Sequence, residues 1–518
     1  MTATNPLNVF KGSDSLAQYF EPDNAPPVPL VELPESLNPL RADGVRIYAK
    51  MLTALPAQNV KSLPALNMLY TAGDNIHDQQ IVEASSGSTI LSLGMLARGL
   101  WGHENTAAYV TNKSRRSQLD MLRFFGIKCI LYGGISQQNP MDPRGIVQRL
   151  QRLEAESSDV YNCKQYHSEK NWESHVRWTG PQIWKQLPEI TLFCSTVGTA
   201  GCIVGVGKYL KPLKPSVKVL GVYNVQGDHT PGPRARTGFE HNPFPWQGVI
   251  DDYQEVKSAD AYRASMALSR HGIIAGPSSG QALHGLIAHL EEMKAAGRLN
   301  ELVDAETKEI HCAFVCADLP YQYIDGYHAK LDESEFPTVS DEHLLDVDQD
   351  YYDKAWFLIP EHAMEFFSKH NVTSPLFCPS APTKDSLCRE CHCGSHVANG
   401  DSSNSDGLTL IDFRPKAAFD QGHVKGSKSL PLSETIDDFF GDSYAVEKRW
   451  LELSDLLKRE PWLLEKSSGP VLIVCTEGDT GRMAASMLRA RGREAFSLEG
   501  GFEAITAYER GERRVYFR

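Results

Sequence analysis

Two stretches of the chain alternate short apolar runs with longer segments of helical period. In the first, from about residue 45 to residue 329, runs rich in β-branched side chains predict strands, and the amphipathic segments between them predict helices. The strand candidates are residues 109–113, 129–134, 190–196, 218–224 and 310–318, and the helix candidates are residues 117–126, 204–213 and 280–297. This alternation is typical of an α/β fold with a mostly parallel sheet.

The pattern fails beyond Tyr327, where residues 332–353 are acidic and irregular. Residues 394–407 are small and polar, a composition typical of a flexible linker. A second α/β unit follows, with strands predicted at 408–413 and 470–476 and a helix at 481–492. We therefore predict a first domain over residues 1–335, a Cys-rich and partly disordered linker over 336–407, and a second domain over 408–518.

Composition and charge narrow the class of function. The 518 residues carry a formal net charge of -13, and no basic run longer than NKSRRS offsets it. Nucleic acid and membranes are therefore disfavoured as partners, and small-molecule chemistry is favoured. The N-terminal residues lack the charged start and apolar centre of a secretory signal, so we predict a cytoplasmic protein.

Four segments of the first stretch carry candidate chemistry: Lys61 before a helical pattern, SSGST at 85–89, VGTAGCIVGVG at 197–207 and GPSSG at 276–280. A lone lysine is usually a solvated surface residue, and it forms Schiff bases where desolvation frees its amine. Gly-rich turns that open a helix present N–H groups to an anion, although they also serve tight strand–helix packing.

In this order, the four segments resemble the cysteine synthase and cystathionine β-synthase family of pyridoxal-phosphate enzymes. A fifth match is the run KQYHSEKNWESHVRWTGPQIW at 164–184, and the resemblance covers about residues 25 to 330. It implies the tryptophan synthase β-like fold of two open α/β subdomains, and pyridoxal 5'-phosphate as the cofactor.

The resemblance also implies roles for individual residues. Lys61 would form the internal aldimine and then serve as the base for the substrate's Cα proton. The cofactor phosphate would lie on Gly198, Thr199, Ala200, Gly201 and Cys202, the pyridine nitrogen at Ser278, and the substrate carboxylate at Ser85, Ser86, Gly87, Thr89 and Gln165. Because a neutral serine cannot keep the pyridine ring protonated, β-chemistry through an aminoacrylate is favoured.

Three departures from the family pattern leave the substrate open. Ser88 stands where the family has an asparagine that contacts the cofactor's ring hydroxyl oxygen, so a shorter side chain takes a cofactor-binding position. Ile90 replaces a glycine. The segment 231–248 replaces a short Gly-rich loop and adds Arg234 and Arg236.

In the second stretch, Cys475 lies between a predicted strand and a predicted helix. Together with the segments 412–414 and 422–426, the loop 475–480 resembles the rhodanese sulfurtransferase domain, which implies that Cys475 carries a persulfide. Two carboxylates in this loop, Glu477 and Asp479, are expected to raise the thiol pKa and to repel thiosulfate.

Four of the eleven cysteines lie close together: Cys378, Cys388, Cys391 and Cys393. Structural zinc, a flexible thiol-rich linker and a sulfur relay all remain open for this cluster, because a second well-spaced pair is missing from the zinc pattern.

Three functions remain open for the whole chain. The leading one is a pyridoxal-phosphate-dependent β-replacement on a β-substituted alanine, coupled to persulfide transfer by the rhodanese domain. The second is a β-eliminating cysteine lyase that supplies sulfur to Cys475, and the third is a weakly catalytic sulfur sensor or scaffold. The resemblance suggests a homodimer, and a sulfur-acceptor protein is a candidate partner.

Overall fold

A computed structural model describes residues 5–85, 87–133, 142–237, 239, 242–370, 377–379, 407–433, 439–465 and 469–512. The chain divides into two compact units, Met1–Phe336 and Pro337–Arg518. Each unit is an α/β structure with its own core.

Among the described residues, the strands of the first unit form two sheets. In chain order they are β1 (Leu30–Glu32), β2 (Val45–Met51), β3 (Gln80–Glu83), β4 (Thr106–Thr111), β5 (Lys128–Tyr132), β6 (Val160–Asn162), β7 (Leu192–Thr196), β8 (Lys218–Asn224), β9 (Asp252–Val256) and β10 (Ile310–Cys316). The larger sheet has the order β1-β2-β10-β7-β8-β9 and is parallel except for β1. The smaller sheet, β5-β4-β3-β6, is parallel throughout. The predicted α/β fold is confirmed.

Helices cover the larger sheet on both faces. Those described in the first unit are α1 (Ser15–Phe20), α2 (Ser62–Tyr70), α3 (Ser88–Trp101), α4 (Arg116–Phe124), α5 (Ile146–Glu156), α6 (Lys170–Ser174), α7 (Gly180–Gln186), α8 (Gly201–Leu213), α9 (Ser258–Arg270), α10 (Pro277–Ala295) and α11 (Ile324–Lys330). Strand β10 is buried along its whole length: Ala313 and Val315 join the core with α2, α3 and α8, whereas Cys312 and Phe314 join the core with α9 and α10. Its continuous apolar sequence follows from this two-sided burial.

The second unit is smaller. Its described strands are β11 (Phe357–Leu358), β12 (Phe377–Pro379), β13 (Thr409–Asp412), β14 (Gly422–Val424), β15 (Lys428–Ser429), β16 (Val471–Val474) and β17 (Ala495–Leu498). A parallel sheet has the order β11-β17-β16-β13-β15, and β12 pairs with β14. Its described helices are α12 (Pro360–Lys369), α13 (Lys416–Gln421), α14 (Ser443–Arg459), α15 (Asp479–Ala490) and α16 (Gly501–Glu509).

The second unit takes in part of the segment predicted as a linker. Phe357 of β11 lies opposite Ser497 of β17, and α12 buries Ala363 and Phe367 against the core of this unit. Residues 337–370 of that segment therefore belong to the second unit, and residues 371–376 and 380–406 lie outside the described part of the chain. In the sequence, acidic loops lie beside the short strand β11 and the helix α12, so the apolar pattern of these elements is difficult to detect.

Within the ranges that the structure describes, no helix has the length and apolar character needed to cross a membrane.

Candidate active sites

The first unit contains a cavity of about 340 Å³. Ten of the residues predicted to bind cofactor or substrate line it: Lys61, Ser85, Gly87, Ser88, Thr89, Gln165, Gly198, Thr199, Cys202 and Ser278. Ala200 and Gly201 form the start of α8 beside this wall, and Ser86 lies outside the described residues. Segments far apart in the sequence therefore converge on one cavity.

Lys61 directly precedes α2, where its backbone N–H donates a hydrogen bond to Asn59 Oδ1 (2.9 Å). Burial lowers the pKa of its ammonium group, while the neighbouring Cys202 and Asp318 oppose that shift. Because a free amine is the form that attacks a carbonyl, this environment suits Schiff-base chemistry.

The SSGST loop joins the end of β3 to α3. The Gly87 N–H donates to Ser85 Oγ (3.3 Å), and the Thr89 hydroxyl donates to Gln165 Oε1 (2.7 Å). Gln165 is held from behind by Glu83, whose Oε2 accepts a hydrogen bond from the Gln165 backbone N–H (3.1 Å). Burial raises the pKa of Glu83 to about 7. Glu83 was not predicted from the sequence, because an acidic residue at the end of a strand carries no motif of its own.

The turn from Gly198 to Cys202 leads from β7 into α8. A Cβ atom on Gly198 would lie 2.7 Å from the Gly232 carbonyl oxygen, so only glycine fits there without displacing the backbone. Ala200 has a left-handed backbone (φ 69°). Asn171 and Asn242 brace Thr199: their amides donate to its hydroxyl (3.1 Å) and to its carbonyl oxygen (3.1 Å).

These features fit pyridoxal phosphate. The first turn of a 13-residue helix, α8, lies at the Gly-rich turn and supplies the N–H groups and dipole that a phosphate requires. The desolvated amine of Lys61 and the hydroxyl of Ser278 line the same cavity. Ser278 is the second residue of α10 and is buried.

Asp318 and Arg234 are among the further residues that line the cavity beyond those predicted to bind ligands. Asp318 follows β10, and Arg234 comes from the segment that departs from the family pattern. The Arg234 guanidinium stacks on Tyr166, 4.6 Å from the ring centre, and Tyr166 also lines the cavity. Arg236 stacks instead on Tyr253, which is not part of the lining.

The second unit places Cys475 directly after β16. The thiol is 5% exposed, and its sulfur accepts hydrogen bonds from the backbone N–H groups of Gly478 (3.1 Å) and Gly481 (3.3 Å). Burial raises the pKa of Cys475 to about 11, the two N–H groups oppose the rise, and Asp479 and Asp412 add to it. Asp479 also lies 3.4 Å from the Arg482 guanidinium.

A hydrogen bond from Arg414, a residue that is also in a buried ion pair, joins the other two rhodanese-like segments. Arg414 contacts Asp412 at 2.7 Å, and it also donates to the Gly422 carbonyl oxygen (2.8 Å). The Phe502 N–H donates to the Cys475 carbonyl oxygen (2.8 Å), and a side chain at Gly501 would clash with the backbone of the cysteine loop. These contacts fix the start of the cysteine loop against the first residues of α16.

The predicted cysteine cluster is largely outside the described residues, which include only Cys378 of its four members. Cys378 lies in β12, where its Cα is opposite that of His423. Across the described ranges, no group of three or more His, Cys, Asp or Glu residues could hold a metal ion.

Residues 23–302 match the family model described as "Pyridoxal-phosphate dependent enzyme", and the chain belongs to this family. Residues 398–508 match the rhodanese-like domain. Cysteine synthase B of Pseudomonas aeruginosa is 32% identical over 248 residues, which cover 46% of this chain and 80% of that protein. The chain is therefore a cysteine synthase-like pyridoxal-phosphate enzyme that carries a rhodanese-like domain.

Two further comparisons agree with this assignment. N-(2-amino-2-carboxyethyl)-L-glutamate synthase of Ralstonia nicotianae is 29% identical over 268 residues, 49% of this chain and 76% of that protein. A crystal structure of cysteine synthase from Entamoeba histolytica has a TM-score of 0.50 and 22% identity, and it covers 64% of this chain and 95% of that chain. The likeness to that structure supports the fold.

Proposed function

We propose that the first unit catalyses β-replacement on a β-substituted alanine with pyridoxal phosphate as cofactor. The observation that carries this proposal is the convergence of the Lys61 amine, the SSGST loop and the Gly198–Cys202 turn on one cavity. When bound, the cofactor supplies an electron sink for the pair released as the Cα–H bond breaks.

The protein's own groups divide the remaining work. Lys61 would hold the cofactor through its carbonyl carbon and, once displaced by the substrate's amine, would take the Cα proton at Nζ, because desolvation favours the unprotonated nitrogen. Ser85, Thr89 and Gln165 bind the substrate's carboxylate and so hold the Cα–H bond in a fixed direction. Glu83 keeps Gln165 in place by accepting a hydrogen bond from the Gln165 backbone N–H.

Arg234 supports an anionic nucleophile, such as sulfide or a thiolate. Its guanidinium is at the cavity wall, and stacking on Tyr166 fixes the plane of the cation. Sulfide and thiolates attack carbon as anions, and a cation at the wall raises their local concentration. The relative from Ralstonia nicotianae is named for a product with a glutamate part, and a dicarboxylate nucleophile would also meet Arg234 favourably.

The fusion favours a second candidate, β-elimination of cysteine. Elimination in one unit would release sulfide, and the other unit holds a buried thiol with two N–H donors. With a disulfide as the two-electron oxidant, which is reduced to two thiols, Cys475 would carry that sulfur as a persulfide. This route also needs a sulfur acceptor, for which a partner protein is a candidate. We further propose a homodimer, as the resemblance suggests.

Product analysis of the purified full-length holoenzyme tests these proposals. The enzyme is mixed with cysteine alone and, separately, with O-acetylserine plus sulfide, and pyruvate, sulfide and new amino acids are quantified. A new thiol amino acid supports replacement, and pyruvate with sulfide from cysteine alone supports elimination. Bound cofactor with neither product would contradict both and favour a sensor.

A further inference from the structure

Asp318 is a buried carboxylate that no part of the proposed reaction uses. It is 8% exposed and follows β10 at the cavity wall. Its Oδ2 accepts hydrogen bonds from the Tyr323 hydroxyl (2.6 Å) and from Gln322 Nε2 (3.0 Å). Among the described residues, Oδ1 has no hydrogen-bond partner. A half-satisfied buried carboxylate is costly and calls for a reason.

Asp318 is close to the segment that carries Ser278 and to the segment that carries Lys61. Its Oδ1 lies against Gly276, where a side chain would clash with it, two residues before Ser278. Its own carbonyl oxygen accepts the Gly276 N–H (2.8 Å). On the other side, the Val60 N–H donates to the Ala317 carbonyl oxygen (2.7 Å), which joins the residues directly before Lys61 and Asp318. Both side chains line the cavity, and the charge of Asp318 acts on the amine of Lys61.

Few titratable groups surround Asp318 and Lys61 in the described part of the chain. Cys316 on β10, Tyr262 on α9, Tyr323 and Tyr327 all have pKa values raised in part by Asp318. Cys202 on α8 and the buried His175 face Lys61 instead. Burial raises the pKa of Asp318 to about 6, with Tyr323, Lys61 and Gln322 opposing the rise, so the carboxylate is mainly ionised at neutral pH.

Burial alone would leave Lys61 a poor base. Desolvation disfavours the ammonium form, and an amine that cannot hold a proton cannot keep the one it takes from Cα. A nearby carboxylate favours the protonated form and restores basicity. We propose that Asp318 is a positioning residue for the proton on Lys61, keeping a negative charge beside this nitrogen so that it can hold the substrate's proton during turnover. This inference rests on the proposed role of Lys61.

The pH titration of the bound cofactor's visible absorbance in the full-length holoenzyme tests the proposal. Asp318→Asn removes the charge and keeps the shape, so the Lys61 nitrogen should lose its proton at lower pH. We expect the absorbance midpoint to move down by about one pH unit, the size typical of a close opposite charge. The exchange of substrate Cα–H in deuterated buffer should slow at least tenfold.

Two further variants make the result independent of folding defects. Tyr323→Phe keeps the carboxylate but removes a hydrogen bond that favours its ionised form, so the midpoint should move in the same direction by a smaller amount. Asp304→Asn is the matched control: Asp304 is also 8% exposed, pairs with Lys214 and does not line the cavity. It should leave the titration unchanged.

An Asp318→Asn midpoint equal to that of wild type, or a Tyr323→Phe shift to higher pH, would overturn the proposal. Failure of the Lys61 assignment gives a different signature. In that case, Lys61→Ala would retain the visible band whatever Asp318 does.

Discussion

Each unit holds a candidate nucleophile ahead of a helix, partly buried at Lys61 and buried at Cys475, yet desolvation has opposite chemical consequences in the two. Desolvation lowers the pKa of the Lys61 ammonium and raises that of the Cys475 thiol to about 11. It favours the neutral form in both cases, but the neutral amine is a nucleophile whereas the neutral thiol is not. Desolvation therefore favours the reactive form of Lys61 and disfavours the reactive form of Cys475.

The means of compensation also differ. Lys61 has Asp318, an anion that returns some basicity to an amine already free to react. Cys475 has the N–H groups of Gly478 and Gly481, which stabilise negative charge on sulfur, but Asp479 acts against them. A nearby negative charge therefore raises the basicity of the Lys61 amine but disfavours the reactive thiolate of Cys475.

Removal of the amine should give the largest effect. Lys61→Ala is expected to abolish the visible band of the bound cofactor and to lower turnover by at least ~10²–10⁴-fold, because a nucleophile and a general base are lost together. Absorbance spectra and product formation measure this. Lys208→Ala, at an exposed lysine of α8, should retain the band; retention by both variants would contradict the assignment.

The reactivity of the Cys475 thiol should increase with pH. Since the thiolate is the reactive form and the pKa of Cys475 is about 11, the rate of alkylation should rise about tenfold per pH unit up to about pH 10. The rate of iodoacetamide labelling of Cys475, followed by mass spectrometry, measures this. A plateau already at neutral pH would mean that the loop overcomes burial.

Loss of the cation at the cavity wall should weaken binding of the nucleophile. Arg234→Met keeps the stem over Tyr166 but removes the charge, so KM for an anionic nucleophile should rise roughly tenfold, the lower range for a charge-assisted hydrogen bond. Steady-state kinetics with sulfide measure the effect. Arg236→Met is the control, because Arg236 stacks outside the cavity lining.

Neutralising a carboxylate in the cysteine loop should make the thiol more reactive. Asp479→Asn removes a group that raises the Cys475 pKa, while Arg482 keeps its ion pair with Glu499, so alkylation at pH 8 should accelerate by about threefold to tenfold. Thiosulfate:cyanide turnover, expected to be poor in the native protein, should rise with it. High native turnover would contradict the predicted repulsion by Glu477 and Asp479.

The smallest effect is expected at Ser88, at the start of α3. Ser88→Asn introduces a longer side chain with two donors at the cavity wall, and we expect a change of roughly twofold to fivefold in the ratio of kcat/KM between cysteine and O-acetylserine. An unchanged ratio would show that the serine is neutral for substrate choice.

The larger elements of the first unit follow from local patterns. The predicted strands at 190–196, 218–224 and 310–318 correspond to β7, β8 and β10, and the predicted helix at 280–297 corresponds to α10. Continuous apolar runs and amphipathic periods report burial directly, so these elements could be found. In contrast, β11 and α12 lie in acidic surroundings, and only pairing with β17 and packing of Phe367 reveal that they belong to the second unit.

The residues that modulate chemistry were harder to find than those that perform it. Lys61 and Cys475 belong to motifs with fixed spacing, and the loops that accompany them could be named in advance. Asp318 and Glu83 carry no motif in the sequence, because an acidic residue after a strand is ordinarily solvated. Their importance depends on burial beside groups far away in the chain.

The sequence by itself determined the order of the segments with candidate chemistry, named both candidate nucleophiles and located the turns that lead into α8 and α15. Only the tertiary structure decided their protonation. A pKa depends on desolvation and on nearby charge, and both are set by segments brought together by folding, as when β10 places Asp318 where its charge acts on Lys61. The spacing of residues in the sequence can identify a candidate nucleophile, but it does not show how far folding desolvates that group or which charges lie near it.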